Sequence, residues 1–572
     1  MVSRTKRAVD KELVRAISKK YSCSLLIAFV FARRGITDDE IPYFLSDEAS
    51  LLHDTFSLPG IDKAVERIKQ ALSNREKVLV FGDRDVDGIT GTVILTDYLQ
   101  SLGMEVLWRI PINDEPYGLS IQAVEEFSSA NCSLIITVDC GISNFAEIAY
   151  AGTLGLDVIV TDHHTPKSTL PQALAIVNPK LTNSIYPYHD IAGCMVSYKL
   201  VCALQTSLED DGLPDFTQKV SEYIQLATLG TVADIVPLRN ENRIIVRNGL
   251  KAIMEKPRYG LSELMICLGL AGKHITAKEL SWIVCPTLNA TGRMGNPDKV
   301  VDIFLSKDPL NRIRLSGEIK KQNDRRKRLG TKAYQLIEQQ ASLTFGQFDG
   351  KLVIASGENI ARGITGIMAN RLINFFRIPA MVVHFGKEIV IGSIRSPGNY
   401  DIHLLLEPID DILLNYGGHK NALGFSLQRL LWDQFIDRLE IEISQIHCMD
   451  IPDEVLAIDA ELPHAHITPD ILAIVDQFEP YGTDNDPLVF ASQGLRVNSS
   501  TIVGKREPKR LKFVLDAGKY KWPAILQKAT ENLKDEVKAG DMVDLVYSFD
   551  RNLYRSIETP QLVIKDIAKR AS

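Results

Sequence analysis

The sequence predicts a multidomain α/β protein that ends in a small β-barrel, and three observations carry this prediction. Short apolar strands alternate with amphipathic helices from residue 61 onward, which is typical of a parallel sheet covered on both faces. A second strand–helix series begins at residue 346, after a long polar helix. Short strand-like segments separated by turn residues fill the chain from residue 451, and this pattern indicates a β-barrel.

These patterns divide the chain into segments, most of which can bury a core of their own. The chain has 572 residues, of which 45% are hydrophobic and 24% are charged, so a globular protein of several domains is expected. The expected segments are an N-terminal helical segment (1–60), a parallel-sheet α/β domain (61–307), a connecting helix (308–345), a second α/β domain (346–450) and a β-barrel (451–572).

The apolar run LLIAFVFA near the N-terminus predicts a buried helix. Basic residues precede it, as in a signal peptide, but RRGITDDE follows at once and there is no small-residue cleavage pattern. The run is also far shorter than the roughly 20 residues that a membrane-spanning helix needs. We therefore expect no membrane partner. The cysteines form no CxxC pair, which favours a cytoplasmic location where thiols stay reduced.

The first α/β domain is predicted from two sequence patterns that alternate along the chain. Its strands are continuous runs rich in Val, Ile and Leu, and its helices carry apolar residues at helical spacing before a turn residue. The predicted strands are KVLVFG, EVLWRIP, SLIITV, DVIVT and ALAIVNP, and the helices beside them are AVERIKQALSN, GITGTVILTDYLQSLG, IQAVEEFSSA and SNFAEIAYAGTLG. Residues 190–345 are predicted to be mainly helical.

The remaining elements follow the same reasoning. GKLVIAS opens the second α/β domain. The barrel strands are predicted at LVFASQGLRVNSSTIVG, RLKFVLDA, DMVDLVYSF and QLVIKDI.

Two basic runs stand out in a chain whose net charge is −7. The run 320–332 carries seven basic residues and one acid; the run 504–522 carries seven basic residues and two acids, interleaved with aromatic residues. A basic run is usually a solvated face, but basic residues with aromatic rings suit single-stranded nucleic acid. The candidate contacts are Lys505, Arg510, Lys512 and Trp522.

Acids and imidazoles follow three of the predicted strands. The carboxyl ends of parallel strands meet at one edge of a sheet, which is where open α/β sheets bind ligands. A further acid lies near the end of the apolar helix in LATLGTVADIVPL. The residues at these positions are Asp83, Asp85, Asp87, Asp139, Asp162, His163, His164 and Asp234.

Clustered carboxylates repel one another unless a cation lies among them. Carboxylate oxygens with one or two imidazoles suit Mn²⁺ or Mg²⁺, and two such ions can activate water and clamp a phosphoryl group. The alternative for any single aspartate is a helix N-cap or a turn residue. A nucleotide-binding loop is excluded because FGDRDVDG fits neither GxGxxG nor GxxxxGK.

The motifs GDRDVDG, VDCG, TDHH and TVADIVPL resemble, in this order, the signature motifs of the DHH phosphoesterase superfamily. FARRGITDDEIPYFL, TLNATGRMG, GSIRS, GGHKNALGFSL and EPYGTDNDPLVF are similar to segments of its RecJ-type exonuclease branch. The resemblance spans nearly the whole chain. It implies a DHH domain, a DHHA1 domain and an OB-like barrel.

The resemblance also implies roles for individual residues. Asp139 would bridge two metal ions and His164 would contact the scissile phosphate, while Asp162 would support the His-His pair from behind. The implied metal ligands are Asp83, Asp85, Asp87, Asp139, His163 and Asp234. The implied substrate contacts are Arg293, Ser393, Arg395 and His419, of which Ser393 and Arg395 would hold a 5′-terminal phosphate.

The activity that the resemblance implies is 5′→3′ degradation of single-stranded DNA to 5′-mononucleotides, in DNA repair and recombination. Two Mn²⁺ or Mg²⁺ ions would serve as cofactors, and a helicase and a single-strand-binding protein would be partners. The alternative is a small-substrate DHH phosphodiesterase, an oligoribonuclease or a cyclic-dinucleotide hydrolase. An inactive DNA-binding scaffold is a third alternative, disfavoured because every acidic and histidine position is present.

The chain departs from the RecJ-type pattern at a few positions near the expected 5′-phosphate site. Thr287 stands where an arginine is expected, and PINDEPYGLS lacks the arginine that usually follows its Pro-Asn pair. Arg84 occupies a position that is usually aromatic or small. These departures leave the predicted metal ligands intact and predict weaker recognition of the 5′-phosphate.

Overall fold

The computed structural model describes residues 3–112, 115, 117–211, 216–398, 400–445, 455–503, 510–527, 537–554 and 557–570, without the side chains of 419, 553, 554 and 557. The chain divides into two compact units. The first comprises residues 1–110, 116–285 and 453–572, and the second comprises residues 111–115 and 286–452.

The first unit begins with short helices that bury the apolar N-terminal run. A strand β1 (Ser3–Thr5) precedes the helices α1 (Lys11–Tyr21), α2 (Leu25–Arg34) and α3 (Ile41–Leu45). Ser24 caps α2 by accepting a hydrogen bond from the Ile27 amide, and Val30 and Phe31 are fully buried. The run LLIAFVFA is therefore the buried helix that the sequence predicts. Among the described residues, no helix has both the length and the apolar character needed to cross a bilayer.

A parallel sheet follows, as predicted. Its helices and strands are, in chain order, α4 (Ile61–Ser73), β2 (Lys77–Gly82), α5 (Val86–Ser101), β3 (Val106–Arg109), α6 (Ile121–Ser129), β4 (Cys132–Val138), α7 (Phe145–Thr153), β5 (Asp157–Thr161) and β6 (Ala175–Val177). The strand order is β3-β2-β4-β5-β6, and every neighbouring pair is parallel. The register pairs Gly82 with Val138 and Val138 with Thr161. The residues that follow these three therefore leave the sheet side by side.

The predicted helical region comes next. Its helices are α8 (Gly193–Asp210), α9 (Thr217–Glu222), α10 (Ile224–Ala233), α11 (Asn240–Glu255), α12 (Leu261–Cys267), α13 (Ala277–Glu279), α14 (Cys285–Arg293), α15 (Asp298–Leu305) and α16 (Pro309–Thr344), with a π-helical turn at Leu280–Val284. In the first unit α5, α8 and α10 pack together as apolar helices. The long polar segment from 308 forms the continuous helix α16, in the second unit.

The second unit is built on a mixed sheet. Its elements after α16 are β7 (Val353–Gly357), α17 (Thr365–Phe376), β8 (Ala380–Phe385), β9 (Ile389–Arg395), α18 (His403–Leu406), β10 (Leu413–His419), β11 (Ala422–Gln428) and α19 (Trp432–Gln445). The strand order is β10-β11-β9-β8-β7, in which only β7 and β8 are parallel. Helices α16 and α17 cover one apolar core of this sheet, and α18 and α19 cover the other.

The chain then returns to the first unit and forms the predicted barrel. The elements are β12 (Val455–Ala457), β13 (Ala460–Glu461), α20 (Ile471–Phe478), β14 (Phe490–Val503), β15 (Arg510–Asp516), β16 (Lys521–Leu526), β17 (Met542–Tyr554) and β18 (Ile557–Lys569). The barrel closes in the order β14-β15-β16-β18-β17, because β17 also pairs with β14.

The N-terminal helices and the barrel share one hydrophobic core, which the sequence did not indicate. The rings of Phe31, Phe44 and Phe478 lie 5.2–5.7 Å from one another. At the rim of this core Arg34 pairs with Asp459 at 2.7 Å. The segment 1–60 is thus packed against a domain that begins about 400 residues later in the chain.

Candidate metal centre

The first strand end of the sheet delivers three carboxylates. Asp83 directly follows β2, and Asp85 is the N-cap of α5, where its Oδ1 accepts hydrogen bonds from the amides of Asp87 and Gly88 at 2.9 and 3.1 Å. Asp85 is therefore a helix N-cap, as the alternative interpretation of a single aspartate has it, but only its Oδ1 atom makes the capping hydrogen bonds. Gly88 is required here, because a Cβ at that position would lie 2.6 Å from the backbone of Asp83. This close approach sets the start of α5 against the end of β2.

Asp87 points from the first turn of α5 toward the start of α8. Its Oδ2 accepts a hydrogen bond from the Gly193 amide at 2.6 Å, and its Oδ1 accepts one from the Cys194 amide at 2.9 Å. Amides at a helix N-terminus favour a negative charge. The side chain of Asp87 is fully buried, so these bonds fix it against the sheet edge.

The second and third strand ends supply Asp139 and the His-His pair. Asp139 follows β4 in the left-handed region, with φ 57°, and is 3% exposed. Asp162 follows β5 and lies behind the histidines: it accepts hydrogen bonds from the amides of His163 and His164 and from Nδ1 of His164 at 2.8–3.0 Å. Its other oxygen accepts the Ile142 amide at 3.0 Å. Asp162 thus anchors the ring of His164 and the backbone of both histidines to the sheet.

The structure brings the predicted metal ligands together. Asp234, at the C-terminal end of α10, lies with Oδ2 3.7 Å from Nε2 of His163, and the same nitrogen is 3.1 Å from Asp139 Oδ1 and 3.9 Å from Asp87 Oδ2. Three groups have their ligand atoms within 4.8 Å of one another: Asp139 with His163 and His164, Asp87 with His163 and Asp234, and Asp83 with Asp85 and Asp139. Asp139 and His163 each belong to two of the three groups.

The protonation equilibria of this cluster are strongly shifted. Burial, followed by the charge of Asp85, raises the pKa of Asp83 to about 7, and burial with the charges of Asp87 and Asp85 raises the pKa of Asp234 to about 8. Burial and the surrounding carboxylates also raise the pKa of Asp139 well above its usual range. These shifts reflect desolvation and mutual repulsion of carboxylates, and a bound cation removes the repulsion.

The two histidines are shifted in opposite directions. Burial lowers the pKa of His163 to about 4, so its ring is neutral and has nitrogen lone pairs for a metal ion. Burial also disfavours charge on His164, but the hydrogen bond and charge of Asp162 outweigh it and raise the pKa of His164 to about 9.

The donor atoms fit a pair of hard divalent cations. One oxygen each of Asp83 and Asp139, and both ring nitrogens of His163, are buried without a hydrogen-bond partner in the structure. Such orphaned atoms are costly unless something else satisfies them. Carboxylate oxygens with imidazole nitrogen are the ligands that Mn²⁺ and Mg²⁺ accept.

Sequence reasoning missed Tyr117, which lies beside the cluster. Its hydroxyl donates a hydrogen bond to the backbone carbonyl of Asp139 at 2.9 Å, and its ring is 6.1 Å from the ring of His164 in an edge-to-face arrangement. The only signal in the sequence was its place just before α6, where a side chain can turn back over the sheet edge.

It also missed the anchor of the loop that follows Asp234. The Leu238 amide donates to the Thr483 carbonyl at 2.9 Å, and Arg239 Nε donates to the Asp484 carbonyl at 3.0 Å. A Cβ at Gly482 would lie 2.7 Å from the Leu238 side chain. The segment EPYGTDNDPLVF that leads into the barrel thus holds the chain next to a candidate metal ligand.

The second unit contains the candidate 5′-phosphate residues Ser393 and Arg395, on β9. The Ser393 hydroxyl is 2.9 Å from the hydroxyl of Thr365, the first residue of α17. A Cβ at Gly366 would lie 2.7 Å from Arg395 Nη2, so the guanidinium rests on the start of that helix. Two hydroxyls, a guanidinium and a helix N-terminus together supply the donors and the positive charge that an anion needs. Thr365 was missed because only the fold places it beside β9.

The remaining predicted contacts in the second unit have different surroundings. Arg293 ends α14, and a Cβ at Gly363 would lie 2.0 Å from its backbone carbonyl. Thr287 is 1% exposed and accepts a hydrogen bond from Asn323 of α16 at 2.8 Å, so the position where an arginine was expected holds a buried polar contact. The structure does not describe the side chain of His419. Residues 113 and 114 of PINDEPYGLS, the stretch that lacks the expected arginine, are also outside the described residues.

The basic-aromatic run of the barrel is only partly exposed. Arg510 and Lys512 are exposed on β15, while Lys505 lies outside the described residues. Trp522 corrects the sequence-based expectation: it is 3% exposed, its indole N–H donates to the Ile467 carbonyl at 2.9 Å, and its ring packs on Phe549. No face of the ring is free for a base.

Comparisons with known proteins agree with this site and fold. Residues 77–231 match the DHH family, N-terminal domain, residues 349–445 match the DHHA1 domain, and residues 458–566 match the RecJ OB domain. A parallel sheet with carboxylates and histidines at its strand ends, followed by a DHHA1 domain, defines a metal-dependent phosphoesterase of the DHH class.

The relatives narrow this class. The single-stranded-DNA-specific exonuclease RecJ of Salmonella typhimurium is 31% identical over 89% of this chain and 90% of its own length, and that of Bacillus subtilis is 30% identical over 98% of this chain and 70% of its own length. The match to the crystal structure of RecJ in complex with Mn²⁺ from Thermus thermophilus covers all of this chain and 80% of the Thermus chain, with 27% identity and a TM-score of 0.81. The Mg²⁺ complex of that protein has a TM-score of 0.74 at 25% identity, covering all of this chain and 78% of its own. The chain belongs to the RecJ family.

Proposed function

We propose that this chain is a Mn²⁺- or Mg²⁺-dependent exonuclease that degrades single-stranded DNA from its 5′ end and releases 5′-mononucleotides, in DNA repair and recombination. The observation that carries the proposal is the convergence of carboxylates and imidazoles from three strand ends and one helix end, in a chain of the RecJ family. This donor set suits divalent ions that act on a phosphodiester.

Each residue of the cluster has a part in this proposal. Two bound ions would supply activation of water and neutralisation of the charge on the phosphate. Asp139 and His163 are each shared between two ligand groups, and the carboxylate of Asp139, with its two oxygens, is the candidate bridging ligand. Asp83, Asp85, Asp87, His163 and Asp234 complete the set. The His164 side chain is 32% exposed, against 8% for His163, which supports a contact between His164 and the scissile phosphate. Asp162 holds that ring in place.

The C-terminal barrel supports a long polymeric substrate over a dinucleotide. Arg510 and Lys512 place exposed positive charge on it, as expected of a surface that binds the strand by its phosphates. The alternative, a small-substrate DHH phosphodiesterase, has no use for such a surface. We retain Arg510 and Lys512 as proposed DNA contacts, together with Lys505.

A single strand labelled at one end or the other tests this function. We expect Mn²⁺-dependent release of labelled mononucleotide at once from a 5′-labelled strand and only at the end of digestion from a 3′-labelled strand. A blunt duplex serves as the control and should resist. Early release from the 3′ end, or faster cleavage of a dinucleotide than of the long strand, would contradict the proposal.

Arg395→Gln is expected to reduce the preference for a 5′-phosphate over a 5′-hydroxyl by about tenfold or more, because a charge-assisted hydrogen bond to a buried anion contributes roughly 1.5–3 kcal/mol. The guanidinium rests on the start of α17 beside Ser393 and Thr365. The measurement is the ratio of kcat/KM on the two strands. Arg371→Gln, an exposed change on the same helix, is the matched control. An unchanged ratio for Arg395→Gln would remove this cradle from the proposal.

The substrate suggests the partners, and the cysteines suggest the compartment. A duplex must be opened before a single strand can be degraded, so we propose a helicase and a single-strand-binding protein as partners. We propose the cytoplasm as the compartment, since the cysteines among the described residues are free thiols.

A further inference from the structure

The connecting helix α16 carries a narrow stripe of positive charge that no role described above explains. Lys321, Arg325, Arg328 and Lys332 are spaced four, three and four residues apart, so at about 100° per residue they fall within roughly 60° of the helix circumference. All four side chains are exposed. At about 1.5 Å per residue the stripe is some 16 Å long.

The stripe faces away from the packed side of the helix. The residues that α16 buries include Ile319, Asn323, Gly330 and Ile337, which lie on the opposite half of the helical wheel. Lys320 and Lys327 are also exposed and flank the stripe on one side, and the single acid in 320–332 is Asp324. The face is therefore a free surface of the second unit on which six exposed basic residues stand against the single acid Asp324.

Unlike Arg314 of the same helix, the four stripe residues are not neutralised by a carboxylate among the described residues. Arg314, two turns earlier on the same face, pairs with Glu318 at 2.6 Å. Within the part of the chain that the structure describes, no carboxylate forms an ion pair with the four stripe residues. Unpaired like charges on one helix face repel one another, so the arrangement costs free energy unless an anion neutralises it.

We propose that this stripe binds the sugar-phosphate backbone of DNA outside the catalytic centre. Its charge complements phosphates, its length matches several successive nucleotides, and the chain as a whole carries a net charge of −7, so the stripe is not part of a generally basic surface. The stripe contains no aromatic side chain or side-chain amide, so we expect it to bind DNA through the charge of the phosphates, independently of base sequence. This inference rests on the proposed nuclease function, which supplies the DNA.

The test replaces the four residues together by glutamine, which preserves helix propensity. The variant is made in the full chain with Asp139→Asn, so that a long single strand can be bound without being consumed. The slope of log affinity against log salt is expected to decrease by about 3, because each phosphate contact contributes roughly 0.7. At moderate salt the affinity should decrease by at least about tenfold.

Two matched variants accompany it. Exchanging lysine and arginine at the four positions should retain the wild-type slope, since the charge is kept. Replacing four dispersed exposed lysines, Lys11, Lys19, Lys63 and Lys307, by glutamine should also retain it, since the net charge changes equally. A stripe variant with the wild-type slope, or a dispersed variant with the same loss, would overturn the inference.

A failure of the stripe inference can be distinguished from a failure of the proposed nuclease function. If the unmodified chain degrades single strands but the stripe variant binds DNA with an unchanged salt slope, only the stripe inference fails, and an acidic protein becomes the occupant to test. If the unmodified chain degrades no single strand with Mn²⁺, the nuclease proposal itself fails.

Discussion

Asp139→Asn is expected to reduce degradation of single-stranded DNA by on the order of 10³-fold or more, which corresponds to about 4 kcal/mol of lost transition-state stabilisation. Asparagine keeps the shape of the side chain but removes the charge that two of the three ligand groups share. With that charge gone, both of these groups lose a ligand at once. The measurement is kcat/KM on a 5′-labelled strand at saturating Mn²⁺.

A second readout separates a lost ligand from a damaged fold. In metal-free buffer we expect Asp139→Asn to melt at the wild-type temperature or above it, because the substitution removes one of several buried carboxylates that repel one another. Mn²⁺ should raise the melting temperature of the wild type and have less effect on the variant, since an ion that binds only the folded state stabilises it. Asp437→Asn, an exposed change on α19, should behave as wild type in both assays. A variant that cleaves at the wild-type rate would remove Asp139 from the metal centre.

The location of this centre could be predicted because it depends on local sequence and one topological rule. Each strand that precedes Asp83, Asp139 and Asp162 is a short apolar run, and parallel strands align their carboxyl ends. The register of the sheet then places these residues side by side without any tertiary information. Asp234 could also be proposed from local sequence, because it directly follows the apolar helix α10.

Features that depend on long-range packing could not be predicted. The side chain of Trp522 faces inward because strand β16 alternates between core and solvent, and the sequence does not show which face is which until the barrel closes. The shared core of the N-terminal helices and the barrel joins segments separated by most of the chain. Thr365 and Tyr117 reach their sites only because the fold brings them there.

The role of the fully buried Arg243 of α11 also eluded sequence reasoning. Its guanidinium donates to the backbone carbonyls of Gln477, Phe478 and Glu479 at 2.6–3.0 Å, where α20 ends, and its Nε donates to the Tyr43 carbonyl at 3.0 Å. A cation at a helix C-terminus compensates carbonyls that have no partner within the helix. Arg243 therefore ties α11 of the parallel-sheet domain to α20 and to the N-terminal helices.

The guanidinium is held by dipoles and by one aromatic face. Its carbon lies 4.2 Å from the centroid of the Phe44 ring, and among the described residues no carboxylate pairs with it. Burial lowers the pKa of Arg243 to about 9, so the side chain stays charged at neutral pH while the protein is folded. This clamp, in which Arg243 holds the end of α20 and the Tyr43 carbonyl, depends on the several N–H donors of the planar guanidinium, which lysine lacks.

Arg243→Met is accordingly expected to destabilise the first unit by about 3 kcal/mol or more, because it leaves several buried carbonyls without donors. Arg243→Lys should recover little, since one ammonium cannot serve carbonyls of both α20 and Tyr43. The matched control on the same helix is Lys251→Met: Lys251 forms an exposed ion pair with Asp47, worth at most about 1 kcal/mol. The measurement is the shift in the urea unfolding transition of the full chain.

The same substitution should affect the metal centre at temperatures where the variant is still folded. The segment that Arg243 holds continues into Thr483, whose carbonyl accepts the Leu238 amide just beyond Asp234. Loosening that segment is expected to raise the Mn²⁺ concentration needed for half-maximal activity several-fold, while Lys251→Met leaves it unchanged. If Arg243→Met unfolds at the wild-type urea concentration and requires no more Mn²⁺, the clamp neither stabilises this unit nor positions Asp234.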